Sequence, residues 1–246
     1  MAKKFWTVVN KIIENSDIIL EVLDSRNIKN SRNNELENKI KSKKKILITV
    51  INKCDLVNKK ELEKETKLIN NCVFISSTEY HGLKKLRDKI LIEGKRLKKS
   101  KPTVGVVGYP NVGKSSMINA LKGKQSAKTS SQSGFTKGVQ KISTRKFILL
   151  DTPGVISYKE KDDHRLASIG AIDYSKVKDP EEVAIELINK NIELMQKHYN
   201  IKKEDYEFIE ELALEKGLLI KKGEPDVIRS SRLILSDWQK GKIKKE

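Results

Sequence analysis

The residues Gly108-Tyr109-Pro110-Asn111-Val112-Gly113-Lys114-Ser115 fit the spacing G-x-x-x-x-G-K-[ST]. That spacing is the chemistry of holding phosphate. Glycines let successive backbone N–H groups turn toward an anion, the helix that follows adds the positive end of its dipole, the lysine reaches the outer phosphates, and the hydroxyl meets a magnesium ion. The expected phosphate contacts are therefore Asn111, Val112, Gly113, Lys114, Ser115 and Ser116. The pattern carries this meaning only between a strand and a helix. The apolar run at 103–108 and the helical pattern at 114–122 supply that setting.

Four further segments extend the chemistry. Asp151-Thr152-Pro153-Gly154 ends another predicted strand, where the aspartate would stand in the outer shell of the magnesium ion and the Gly154 amide would sense a terminal phosphate. Thr136, in the loop between, could bring its hydroxyl and carbonyl to the same metal, so that Lys114, Thr136 and Gly154 would surround the reacting phosphate. Asn52-Lys53-Cys54-Asp55 follows an apolar run at 45–51 and is the expected nucleotide-binding motif for the base, with Asn52, Lys53 and Asp55 its acting residues. A carboxylate at Asp55 can accept two hydrogen bonds from the N1–H and exocyclic amine of guanine, a pattern adenine does not offer. One strand later, Ser76-Ser77-Thr78 supplies a loop whose backbone N–H could meet the guanine O6, with Ser76 and Ser77 beside the base. Cys54 occupies the variable position of its motif, and packing accounts for it better than reactivity.

These residues need elements to position them. Apolar runs predict strands over 17–24, 45–51, 72–76, 103–108, 138–144 and 146–151, with helices over 3–15, 34–43, 59–70, 82–98 and 114–122 between them. This alternation predicts an α/β three-layer fold with a mostly parallel sheet. After Pro153 the pattern changes. Asp179-Pro180-Glu181-Glu182 is a helix start, and helical spacing runs to Tyr199, over 203–216 and over 226–240. The expected organisation is a nucleotide-binding domain at 1–158 and a smaller helical domain at 159–246.

The chain has 246 residues, 51 Lys+Arg and 33 Asp+Glu, for a net charge of +18. At 37% apolar residues it can bury a core. No stretch approaches the ~20 apolar residues of a spanning helix, which argues against a helical membrane protein. The start Met1-Ala2-Lys3-Lys4-Phe5-Trp6 lacks the apolar core of a signal peptide, so export is not expected. Two cysteines, Cys54 and Cys72, form no disulfide framework or zinc spacing, which fits a cytoplasmic protein. His81, His164 and His198 are scattered and suggest neither a metal cluster nor a nucleophilic triad.

The charge is uneven: residues 1–160 hold 34 basic and 15 acidic side chains, and residues 161–246 hold 17 and 18. A positive field of this size attracts polyanions through phosphate contacts. A solvated lysine-rich surface is the plainer account of the same numbers. Basic runs at Lys41–Lys45, Lys84–Lys101, Lys122–Lys146 and 216–245 are the candidates for RNA backbone contact, by shape and phosphate rather than sequence, because aromatics for base stacking are few.

The order of these motifs resembles a known family. In Ras-like GTPases the phosphate loop comes first; here 52–55 and 76–78 precede 108–115, which precedes Thr136 and 151–154. With its closing helical segment and Asp24-Ser25-Arg26 on the first strand, similar to a family D-A-R, the chain resembles the circularly permuted TRAFAC-class GTPases of the YlqF/YawG ribosome-assembly family. The resemblance implies a P-loop GTPase fold and hydrolysis of GTP to GDP and phosphate with Mg2+. It also implies binding of the assembling large ribosomal subunit and its rRNA, with release after hydrolysis; a monomer with no membrane partner is expected. Asn111 matches an asparagine that ligates K+ in similar GTPases, with a loop-shaping role as the alternative. Bacterial members begin with a Phe-Pro-Gly-His element that this sequence lacks. Val155 stands where Ras-like enzymes place a water-orienting glutamine, so a low intrinsic rate is expected. The rival functions are a GTP-dependent RNA-binding switch on tRNA or the small subunit and a GTPase of anionic membrane surfaces, for which no lipidation motif or basic amphipathic helix stands at a terminus.

Overall fold

Runs such as Ile18-Ile19-Leu20-Glu21-Val22-Leu23 offer almost no polar face to water, so they are stable where both faces are covered, as in a parallel sheet. That is how they fold in a computed structural model that describes residues 2–122, 139–151, 170 and 172–244. The chain forms two units, Met1–Lys159 and Glu160–Glu246.

The first unit holds, in chain order, α1 (Ala2–Asn15), β1 (Ile18–Asp24), α2 (Ile28–Ser31), α3 (Asn34–Ser42), β2 (Ile46–Asn52), α4 (Lys59–Thr66), β3 (Cys72–Phe74), α5 (Leu83–Arg96), β4 (Thr103–Val107), α6 (Lys114–Lys122), β5 (Gln140–Ser143) and β6 (Ile148–Asp151). The strands make one sheet in the order β3-β2-β1-β4-β6-β5, parallel except for the β5/β6 hairpin. β1 is buried along its whole length. Val9, Ile12 and Ile13 of α1 and Leu36 and Ile40 of α3 pack with Ile19 and Val107 of the sheet, and α5 lies against β1 and α6.

The strand order reverses between β1 and β4. In open α/β sheets ligands bind outside the carboxyl ends of the strands at such a point. Asp24, Asn52, Gly108 and Asp151 all stand at carboxyl ends of strands in this sheet, and Asp24 pairs in register with Asn52.

Local chemistry sets where elements stop. The strand expected at 72–76 ends at Phe74, because Ser76 N turns away to donate to His81 O at 3.1 Å. The helix expected to reach residue 70 ends at Thr66, whose hydroxyl takes the Leu62 carbonyl at 2.7 Å, a side-chain bond that competes with the helix ladder.

The second unit contains α7 (Pro180–Lys190), α8 (Ile192–Tyr199), α9 (Asp205–Glu215) and α10 (Val227–Lys240). The single helical run expected from 179 to 199 is two helices. Asn191 leaves the helical region (φ −135°), and its side chain donates to Leu187 O at 3.0 Å. Val183, Leu187, Met195, Phe208, Leu212, Ile234 and Trp238 form this unit's core. Asp226 caps α10 by accepting from Arg229 N at 2.9 Å. No described helix is long and apolar enough to cross a membrane.

Candidate functional site

The phosphate-type loop joins β4 to α6. Gly108 has φ +142°, and a Cβ there would lie 2.5 Å from Val22 O, so the loop leaves the strand by a path only glycine can take. Gly113 has φ +93°, and its Cβ would fall on Asn52 Nδ2. Asn111, exposed, is also left-handed at φ +60°. Helix α6 takes its first turn here, with Met117 N donating to Gly113 O at 2.9 Å.

Lys114 Nζ donates to the loop's own carbonyls, Gly108 O at 2.9 Å and Tyr109 O at 2.6 Å. Burial pushes this ammonium down to about 8, and the Asp151 carboxylate on the neighbouring strand works in the opposite direction. Ser115 and Ser116 are exposed on the first turn of α6, while Asp151 is buried at the end of β6. A hydroxyl and a carboxylate are hard oxygen donors, the set Mg2+ takes alongside phosphate oxygens and water. Among the described residues no cluster of three or more His, Cys, Asp or Glu could hold a metal by itself. The donors present therefore fit an ion held jointly with a phosphate ligand.

Asn52 ties the other two loops to this one. It is 1% exposed; its Nδ2 donates to Val112 O at 2.9 Å, and its Oδ1 accepts from Ser77 N at 3.2 Å and Ser77 Oγ at 2.9 Å. One side chain thus joins segments 60 and 25 residues away. Cys54 N donates to Ile75 O at 3.1 Å, which seats the turn Cys54–Leu56 beside the serine loop. The Asp55 carboxylate rides on that turn. Its Oδ1 is buried and finds no hydrogen-bond partner among the described residues. A buried carboxylate oxygen left unbonded is expensive unless a ligand's donor completes it.

Cys54 behaves as packing. Its Sγ contacts Ile51 O at 3.0 Å, and burial pushes the thiol up to about 12. Thr136 and Gly154 lie outside the described residues. Of the others, the structure brings Asn52, Ser77, Val112 and Gly113 into direct contact; Lys114 lies on the phosphate-type loop against Gly108 and Tyr109, and Asp55 lies on the turn that Cys54 seats beside the serine loop.

Sequence reasoning missed two supporting side chains. Arg87 of α5 donates to Ala120 O at 2.8 Å and Leu121 O at 3.2 Å, closing the C-terminal end of α6. No local signal in a lysine-rich helix marks that arginine. Ser25 donates its hydroxyl to Lys53 O at 2.7 Å; its place in the D-A-R-like segment was the available clue.

A family model described as RsgA GTPase matches residues 9–160, more than half of the chain. The chain belongs to the circularly permuted GTPases of the YlqF family. A second family model, described as 50S ribosome-binding GTPase, matches this GTPase over residues 103–221. The protein is 42% identical to a GTP-binding protein of Methanocaldococcus jannaschii, over 96% of this chain and 65% of that one. It is 35% identical to nuclear/nucleolar GTPase 2 of Arabidopsis thaliana, over 98% and 44%, and 34% identical to nucleolar GTP-binding protein 2 of Saccharomyces cerevisiae, over 98% and 52%. The chain thus spans between about half and two thirds of the length of these curated relatives. Among solved structures, GNP-bound YlqF from T. maritima superposes with a TM-score of 0.71 at 23% identity, over 98% of this chain and 95% of that one, and shares the fold. The GDP-bound form gives 0.70.

Proposed function

We propose that this GTPase binds guanine nucleotide at the β1/β4 switch point, hydrolyses GTP to GDP and phosphate, and uses that step to leave an assembling large ribosomal subunit. The observation that carries the nucleotide reading is Asp55, a half-buried side chain beside the serine loop whose buried Oδ1 has no hydrogen-bond partner among the described residues. Guanine brings two donors to such a group, and adenine does not. Asn52 keeps the base loops and the phosphate loop in one body, so base recognition and phosphate recognition act on the same ligand.

In this reading Lys114 exchanges its two carbonyl contacts for the outer phosphates. The amides of Asn111 to Ser116 cradle the phosphate chain at the start of α6. Ser115 and Thr136 would hold Mg2+, with Asp151 behind them, and the ion would neutralise charge on the β- and γ-phosphates. The Gly154 amide reads the γ-phosphate. Asn111, exposed and left-handed at the loop's edge, would ligate K+. With Val155 where a glutamine orients water in Ras-like enzymes, unassisted turnover is slow.

The ribosomal reading is supported by the match to a 50S ribosome-binding GTPase model and by the excess of 34 basic over 15 acidic residues in 1–160. The protein acts in the cytoplasm as a monomer, meeting rRNA through phosphates. Two experiments test it. Asp55→Asn puts an amide donor where the guanine amine sits, so preference moves to xanthosine nucleotides, whose C2 carries an oxygen; unchanged guanine selectivity means the base binds elsewhere. Cosedimentation with separated subunits should enrich the protein with the large subunit in a non-hydrolysable GTP analogue over GDP. Enrichment with the small subunit, or with neither, rejects the large-subunit reading.

A further inference from the structure

Asp24, Ser25 and Arg26 close β1 beside the base loop, and the contacts proposed for the nucleotide do not use them. Asp24 is 4% exposed and both of its oxygens are fully engaged. Arg26 donates from its backbone N and Nε to Oδ1 at 3.1 and 3.0 Å and from Nη2 to Oδ2 at 2.7 Å, and Lys53 Nζ meets Oδ2 at 2.9 Å. The two cations hold this carboxyl well below the usual range against the opposing effect of burial. Ser25 fixes the backbone of the base motif: its N donates to Asn52 O at 2.9 Å and its Oγ to Lys53 O at 2.7 Å. Lys53 is left-handed at φ +64°, and the turn carrying Asp55 hangs from it, with Leu56 N donating to Lys53 O at 3.0 Å.

The Lys53 ammonium touches Asp24, and a second carboxylate, Asp55, stands two residues further on in the turn that Lys53 opens. Its side chain is 17% exposed, and an ammonium so enclosed requires a counter-charge. If Asp24 did not take it, Asp55 would, and the oxygen that has no partner now would be occupied. The four groups, two cationic and two anionic, are arranged so that one carboxylate serves both cations and the other stays open.

Building on the guanine-binding reading, we infer that Asp24 is a positioning residue for base recognition: it holds the Lys53 ammonium away from Asp55 and so keeps that carboxylate available to the guanine edge. Asp24 touches no part of the ligand. Its effect is on discrimination between bases, through Lys53.

The test compares GDP with inosine diphosphate, which keeps N1–H but lacks the exocyclic amine and so reports the second hydrogen bond to Asp55. The wild-type chain should prefer GDP by about tenfold or more, the value of a hydrogen bond to a charged group. Asp24→Asn should bring that preference to within about twofold. In a Lys53→Met background, where both nucleotides bind more weakly, Asp24→Asn should change the ratio no further. A preserved ratio in Asp24→Asn overturns the inference, as does an equal drop in both backgrounds. If Asp24→Asn alone gives no cooperative unfolding transition, the double variant decides: it removes a cation with the anion and should still prefer GDP, and loss of preference there contradicts the proposal. A wild-type chain with no preference for GDP is a separate failure, that of the guanine reading itself.

Discussion

Asn52→Ala is the perturbation that most directly tests whether the base loops and the phosphate loop are one device. The side chain makes three hydrogen bonds at 2.9, 3.2 and 2.9 Å in a position 1% exposed to solvent. At about 1 kcal/mol net for each, their removal costs about 3 kcal/mol, more if Val112 O or Ser77 N is left buried without water. For a domain of this size each kcal/mol moves the unfolding midpoint by about 2–4 °C, so the first unit should melt roughly 6–12 °C lower. Calorimetry reads that shift, and titration reads its functional counterpart. Because the residue bonds to both sides, Asn52→Ala should weaken inorganic pyrophosphate as well as GDP. A midpoint shift under about 2 °C would refute the structural reasoning. Weaker GDP with unchanged pyrophosphate would show that the two loops are independent.

Three more outcomes follow from the same geometry. Lys114 sits at about 8 in the free protein, below lysine's 10.5; phosphate favours its charged form, so binding takes up a proton above that value. GDP affinity should fall as pH rises from about 8 toward 10, and Lys114→Met, weaker throughout, should show no such fall; a wild-type affinity flat across that window contradicts the assignment. Glu21, buried in β1 with Oε1 accepting from Asn33 N at 3.2 Å, is raised from 4.5 to about 8 chiefly by burial, with the Glu37 charge adding to it. The folded state then holds a proton the unfolded state has lost between about 4.5 and 8, so this group's stabilisation is full below that window and is lost as pH climbs through it. Thermal unfolding of Glu21→Gln should lack that decline, and a parallel decline in both proteins would disprove it. Turnover with large subunits should be faster in K+ than in Na+; equal rates remove the ion-ligand role of Asn111.

What could be read from the sequence is what short spacing encodes. Eight residues between an apolar run and a helical one define the loop at 108–115, and the four at 52–55 define the base motif, because each needs only its own backbone path and side-chain types. The nearly unbroken apolar run Ile18–Leu23, interrupted only by Glu21, announces a strand covered on both faces. The links between segments were not legible. Asn52 reaches Val112 across 60 residues, and Arg87 closes α6 from another helix, contacts that exist only once strand order is set. Asn191 shows a different limit: its periodicity is helical on both sides, yet its own amide captures the Leu187 carbonyl and breaks the run. The D-A-R-like segment was visible as a likeness, whereas its sharing of Lys53 depends on the in-register pairing of Asp24 with Asn52.

A crystal structure of this chain with a non-hydrolysable GTP analogue decides whether one guanine nucleotide spans the base loops and the phosphate loop. The purine edge should lie within about 3 Å of the Asp55 carboxylate, with the phosphates on the amides of Asn111 to Ser115. A purine bound away from Asp55, with the phosphates still in the loop, would contradict it.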